Sequence, residues 1–151
     1  MREGDPISSW THATLAATLN PECAVNRARD WFAQAERDLD HAKAARDDGA
    51  HEWACFAAQQ SAEKAVKALH LKCGQEAWGH VIARLLAELP PSAEAAGFID
   101  RGKVLDNFYV ATRYANGHPE GAPFEHYGTL QSDQAIRYAG EIVEFVRARL
   151  A

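Results

Sequence analysis

Residues 53–71 read WACFAAQQSAEKAVKALHL. Cys55, Ala58, Ala62, Ala65 and Leu69 recur three and four residues apart, which puts them on one stripe of an α-helix. All but Leu69 are small, so a second helix can approach this stripe closely. Gln60, Glu63, Lys64 and Lys67 form a polar row on the neighbouring face, with Glu63 and Lys67 in the favourable acid-then-base i,i+4 order. Trp53 and Phe56 anchor the N-terminal end. On general burial preferences such a polar row is expected to be a solvated face.

Outward from this helix, the pattern stays helical. Towards the N-terminus, Phe32, Ala35, Leu39 and Ala42 repeat at helical spacing, with Asn26 as the expected N-cap and Gly49 as the left-handed stop. The turn between the two is short, so they are expected to pair as an antiparallel hairpin. Towards the C-terminus, Cys73-Gly74 closes the central helix. Val81, Leu85, Leu86 and Leu89 then predict a helix of about three turns ended by Pro90-Pro91. Ser92 is placed to cap a further helix through Phe98, Ile99, Val104, Leu105 and Phe108. The segment 112–129 holds three glycines and two prolines, too many for regular structure; a long irregular loop in a compact domain is usually functional. Ser132 or Asp133 is expected to cap a last helix carrying Ile136, Ala139, Val143, Val146 and Leu150. No stretch alternates as a strand does. The fold class expected is all-α, an up-and-down bundle of four to five helices.

The totals narrow the function classes. A chain of 151 residues with 47% apolar and 25% charged residues fits one ordinary globular domain. Residues 1–25 lack a sustained period, although Thr11–Leu19 can form a short helix; this segment reads as accessory to a domain over 26–151. A net charge of −5 speaks against coating nucleic acid by bulk attraction but leaves room for a local basic cleft. Cys23, Cys55 and Cys73 are odd in number with no CxxC spacing, so neither a disulfide framework nor a zinc knuckle is indicated. No apolar run approaches a membrane span and no continuous signal-peptide core is present. A cytoplasmic protein without a membrane partner is expected.

The strongest chemical signal is at the start of the irregular loop, Arg113-Tyr114-Ala115-Asn116-Gly117-His118. A guanidinium can hold a phosphate bidentately, and a histidine a few residues on can move a proton near neutrality. Together they are suited to RNA cleavage by the 2′-hydroxyl without a metal. Tyr114, with Tyr109 or Tyr127, can stack on a base. Equally, an arginine in such a loop often ties down backbone carbonyls. Lys64, Lys67 and Lys72 can form a modest basic ridge for phosphates, or a solvated face. His51 and Cys55 lie i,i+4 but no further metal ligand is evident, and His80 is most simply a cap or a packed polar residue. Walker, GxGxxG, HExxH and nucleophile-elbow motifs are absent, and no cofactor is called for.

The chain resembles the HEPN family (higher eukaryotes and prokaryotes nucleotide-binding domain) over about residues 27–150. The resemblance rests on Asp30-Trp31 with 34–39 QAERDL, on 55–69 CFAAQQSAEKAVKAL, on Gly79-His80 followed by Leu85-Leu86, and on Arg113-Tyr114 through 121–127 GAPFEHY with the last helix behind it. It implies a helical bundle, commonly a homodimer, and partnership with a minimal nucleotidyltransferase in a toxin–antitoxin-like pair. Many such proteins look like metal-independent ribonucleases with an Arg, a short spacer and a His; Arg113 and His118 have four residues between them. Tyr114 stands where those enzymes usually carry a small polar residue or His. Glu120 stands where members silenced by adenylylation carry a Tyr. Three readings follow. The first is a nucleotide- or RNA-binding protein using Arg113, Tyr114, Lys64 and Lys67. The second is an endoribonuclease with Arg113 and His118 as catalytic residues, converging in an open cleft. The third is a structural dimerisation module, in which Arg113 is spent on its own backbone.

Overall fold

The computed structural model describes residues 21–151, with side chains from Arg27 onward. Three long helices carry the architecture: α1 (Pro21–Asp47), α2 (His51–Lys72) and α6 (Thr129–Leu150). Short helices α3 (Ile82–Ala87), α4 (Ala93–Ala96) and α5 (Ile99–Asp106) bridge α2 to α6, and no strand occurs among the described residues. The expected helical bundle is therefore found.

Alanines determine how closely the long helices approach. Ala28, Ala35 and Ala42 of α1 and Ala54, Ala58, Ala62 and Ala65 of α2 are all buried. The α1–α2 hairpin is the most extensive packing in the molecule, followed by α2 against α6. Ala135, Ala139, Ile142, Val143 and Val146 supply the α6 side of the core. Burying each Leu, Ile or Val fully contributes about 1.5–3 kcal/mol; the alanines add less area but let helix backbones come together. Ser61 uses this closeness, donating from Oγ to the Ala35 carbonyl across the hairpin at 2.6 Å. Gly49 turns the hairpin at φ 80°, a conformation that costs a residue with a Cβ.

The short helices are fastened by polar side chains. His70, fully buried on α2, bonds through Nε2 to the Leu85 carbonyl at 2.7 Å and holds α3 in place. Both Asp106 carboxylate oxygens accept from the first N–H groups of α3, Ile82 at 2.6 Å and Ala83 at 3.1 Å. Gly102 lets α5 lie on α3, since a Cβ there would stand 3.0 Å from the Ala83 nitrogen.

Several boundaries differ from the sequence expectation. Asn26 lies inside α1 instead of capping it, because the helix begins at Pro21; the possible helix over Thr11–Leu19 lies outside the described residues. α3 spans six residues, ending before Leu89, which is buried in the following turn. Ser92 does cap, accepting from Ala95 N at 3.0 Å, but the helix it starts breaks at Gly97 and resumes as α5. Neither Ser132 nor Asp133 caps α6. Gly128 does, its N–H donating to the Gln131 side chain at 3.0 Å. Ser132 is buried within the first turns and hydrogen-bonds His51 Nδ1 at 2.8 Å.

Candidate functional site

The polar row on α2 is not a solvated face. Glu63 is 4% exposed, and its carboxylate is the hub of a network. Oε1 accepts from Lys67 Nζ at 2.9 Å and from His80 Nδ1 at 3.0 Å. Oε2 accepts from Gln59 Nε2 at 3.0 Å and Gln60 Nε2 at 3.3 Å. Gln59 also reaches the His80 carbonyl, and its own oxygen accepts from Gln60. Burial pushes the Glu63 carboxyl towards the neutral form, but the hydrogen bonds from Lys67, Gln59 and His80 outweigh it and hold the pKa below its usual value. Nearby Asp106 has its pKa raised, chiefly by burial, with the Glu63 charge adding to it against the pull of the Ile82 and Ala83 N–H groups.

His80 links this network to Arg113. Its ring stacks on Tyr109, with 4.5 Å between centroids and 18° between planes. The Arg113 guanidinium carbon lies 4.8 Å from the same Tyr109 ring, 4.3 Å from Phe56 and 5.1 Å from Tyr114. Arg113 is thus caged by three aromatic rings, an arrangement suited to a flat, weakly hydrated cation. Its Nε and Nη2 donate to the Tyr109 carbonyl, at 2.8 and 2.5 Å. The Nη1 group has no hydrogen-bond partner among the described residues. Trp53 packs edge-on against Phe56 and is half exposed, as is Tyr114. A cleft of about 270 Å³ opens alongside, sharing Phe56 with the cage and Gln60 with the Glu63 network, with Trp53 and Lys64 on its wall.

His118 belongs to a different cluster. Its Nε2 bonds the Ala111 carbonyl at 2.7 Å. Its ring lies parallel to His126 at 4.0 Å and meets Tyr127 edge-on. His126 is in turn tied to the Glu120 carbonyl. No hydrogen bond joins Arg113 to His118 within the chain; one faces the α2 aromatics, the other closes its own loop.

The remaining residues named from the sequence are mostly paired. Lys64 bonds Asp38 across the hairpin at 2.5 Å and Lys67 bonds Glu63, so both lysines are largely neutralised. Lys72 donates to the Arg149 carbonyl at the end of α6. Cys55 is fully buried and its thiol pKa is pushed up to about 12, mainly by burial, while His51 is held by Ser132. Among the described residues no cluster of three or more metal-ligating side chains is found. A larger groove, about 740 Å³ between α1, α4, α5 and α6, is lined by Leu39, Phe98 and Ile136 among others and contains none of these residues.

Sequence reasoning missed the partnership of Glu63 with His80. The two are 17 residues apart and meet only because α3 folds back onto α2. The local trace was limited to Gly79, which takes φ 87° and turns the chain just before His80.

The arrangement defines a class before it defines a family: an antiparallel helical bundle with a charged, aromatic-lined site beside its central helix. The chain belongs to the HEPN family, the HEPN domain model matching residues 28–149. Three crystal structures show the likeness. TT1696 from Thermus thermophilus is 47% identical, with TM-score 0.79, covering 82% of this chain and 98% of its own. ST0689, described as an archaeal HEPN homologue, is 40% identical with TM-score 0.71 over the same shares. An HEPN domain protein from Thermotoga maritima is 31% identical with TM-score 0.61, covering 80% and 97%. A comparison with curated proteins found no match.

Proposed function

We propose that this HEPN protein binds RNA or a nucleotide at Arg113. It acts as a homodimeric, cytoplasmic partner of a minimal nucleotidyltransferase in a toxin–antitoxin-like pair, with residues 1–25 as an accessory segment. The observation that supports this reading is the Arg113 cage. Three rings hold the guanidinium flat while Nη1 is unspent; Tyr114 of the cage and Trp53, packed on Phe56, are 54% and 50% exposed. A phosphate on Nη1 with a base on either aromatic is a common way to bind single-stranded nucleic acid. Lys64 contributes through its place on the cleft wall and Lys67 through its hold on Glu63, more than through net charge, given their carboxylate partners.

The geometry favours binding over cleavage by Arg113 and His118. Cleavage by that pair needs both groups on one phosphodiester, and in the protomer His118 spends Nε2 on Ala111 and one ring face on His126. Arg113 also spends two donors on its own backbone, as a purely structural role would require, but the free Nη1 and the open cleft are not needed by such a role.

Fluorescence anisotropy with a labelled single-stranded RNA, and calorimetry with AMP and ATP, test this on wild type and Arg113→Ala. Binding that is lost on substitution while the helical circular dichroism persists supports the reading. Wild-type protein that binds neither ligand, or a variant that binds equally well, overturns it. Sizing in solution and co-purification with a nucleotidyltransferase test the partners.

A further inference from the structure

The protonation of Glu63 determines what His80 presents to solvent. An ionised carboxylate only accepts hydrogen bonds, and both Glu63 oxygens are already filled by donors. His80 Nδ1 must therefore carry the hydrogen in its 3.0 Å contact with Oε1. In the neutral imidazole the other nitrogen, Nε2, then bears a lone pair. That nitrogen has no hydrogen-bond partner among the described residues, and the side chain is 52% exposed.

The ring is also held still. Gln59 grips its carbonyl, Asp106 fixes the N–H groups of Ile82 and Ala83 just beyond it, and Tyr109 covers one face. A fixed acceptor, backed by a buried carboxylate and one aromatic ring away from the Arg113 guanidinium, is more than a packed polar residue needs. It fits a ligand that carries both a phosphate and a hydroxyl donor. Ribonucleotides have that hydroxyl and deoxyribonucleotides lack it, so the 2′-hydroxyl lets a protein tell RNA from DNA.

We propose that His80 Nε2, oriented by Glu63, is the subsite that accepts a hydrogen bond from the ribose 2′-hydroxyl of a ligand whose phosphate sits at Arg113, making the site selective for ribonucleotides. This rests on the binding reading given above and adds to it the sugar that the site selects. His80 touches the ligand; Glu63 is a positioning residue that fixes the tautomer.

The test is equilibrium binding of a short labelled oligouridine, its 2′-deoxy and its 2′-O-methyl counterparts, by wild type, His80→Ala, His80→Gln and Arg113→Ala. One hydrogen bond predicts a preference of roughly three- to tenfold for the ribose strand. His80→Ala should lower RNA affinity to the level of the deoxy strand without weakening the deoxy strand. His80→Gln, which keeps an acceptor, should retain part of the preference. Arg113→Ala should weaken both strands alike. Glu63→Gln, checked for folding by thermal melt, should reduce the preference with little effect on the deoxy strand. Wild type that binds both strands equally, or a His80→Ala variant with the wild-type preference, overturns the subsite and leaves the binding reading standing. Failure of wild type to bind either strand overturns both.

Discussion

The imidazoles of His118 and His126 lie face to face, 4.0 Å apart and within 1° of parallel, and each bonds a backbone carbonyl of the loop that joins α5 to α6. Two side chains eight residues apart thus hold together a segment whose regular structure is limited to two short 3-10 turns, Ala115–Gly117 and Pro123–Glu125. His118→Ala removes one carbonyl contact and the stack, and should lower stability by about 1 kcal/mol. RNA affinity should stay near wild type. Thermal melts with binding measured on the same protein check this, and a loss of binding at full stability would move His118 into the site.

Gly117 has a related role. A Cβ there would stand 2.9 Å from the Ala111 Cα, and backbone cannot yield as a flexible side chain does. Gly117→Ala should destabilise the protein by about 1–3 kcal/mol through overpacking. Chemical denaturation should show a lower midpoint with an unchanged slope.

Arg113→Ala should weaken RNA or nucleotide binding by about 1.5–3 kcal/mol, the cost of one charge-assisted phosphate contact. Arg113→Lys should recover little of it, because a lysine ammonium is not flat and cannot fill the three-ring cage. Titrations at two salt concentrations separate loss of charge from loss of stacking.

Glu63→Ala leaves Lys67, Gln59, Gln60 and His80 without their common acceptor, and should cost about 3 kcal/mol. The wild-type pH dependence follows from the same group. Its folded pKa is lowered, so its contribution is full above the ordinary value of 4.5 and is lost as pH falls through the folded value. Asp106 acts oppositely. With its folded pKa raised, its contribution is full below 3.8 and is lost as pH rises through the folded value. Melting temperatures measured across the acid range should fall less steeply for Glu63→Gln than for wild type.

Cys55 and Cys73 should differ sharply in reactivity. Cys55 is buried with its thiol pKa near 12, whereas Cys73 is exposed at the end of α2. Peptide mapping after brief alkylation should find Cys73 modified in the native protein and Cys55 only after unfolding.

Periodicity, an intrinsically local property, was enough to read α1, α2 and α6, and Gly49 marked the left-handed turn of the antiparallel α1–α2 hairpin. The small residues at 55, 58, 62 and 65 already suited a closely packed partner. They could not say which one, because the same stripe suits another helix of the chain or a second copy. The fold places α1 and α6 on it, within the protomer.

The ends of the short helices were less legible. Their limits depend on acceptors distant in sequence, such as Asp106 for α3, or on breaks such as Gly97. The candidate site divides in the same way. The Arg113 loop announced itself by composition, and Glu63–Lys67 by i,i+4 spacing. That Glu63 is buried, that His80 is its partner, and that Arg113 and His118 turn to different neighbours were decided by tertiary structure alone. Each depends on which side chains α3 and the α5–α6 loop bring against α2, and no local spacing in the chain encodes that distance.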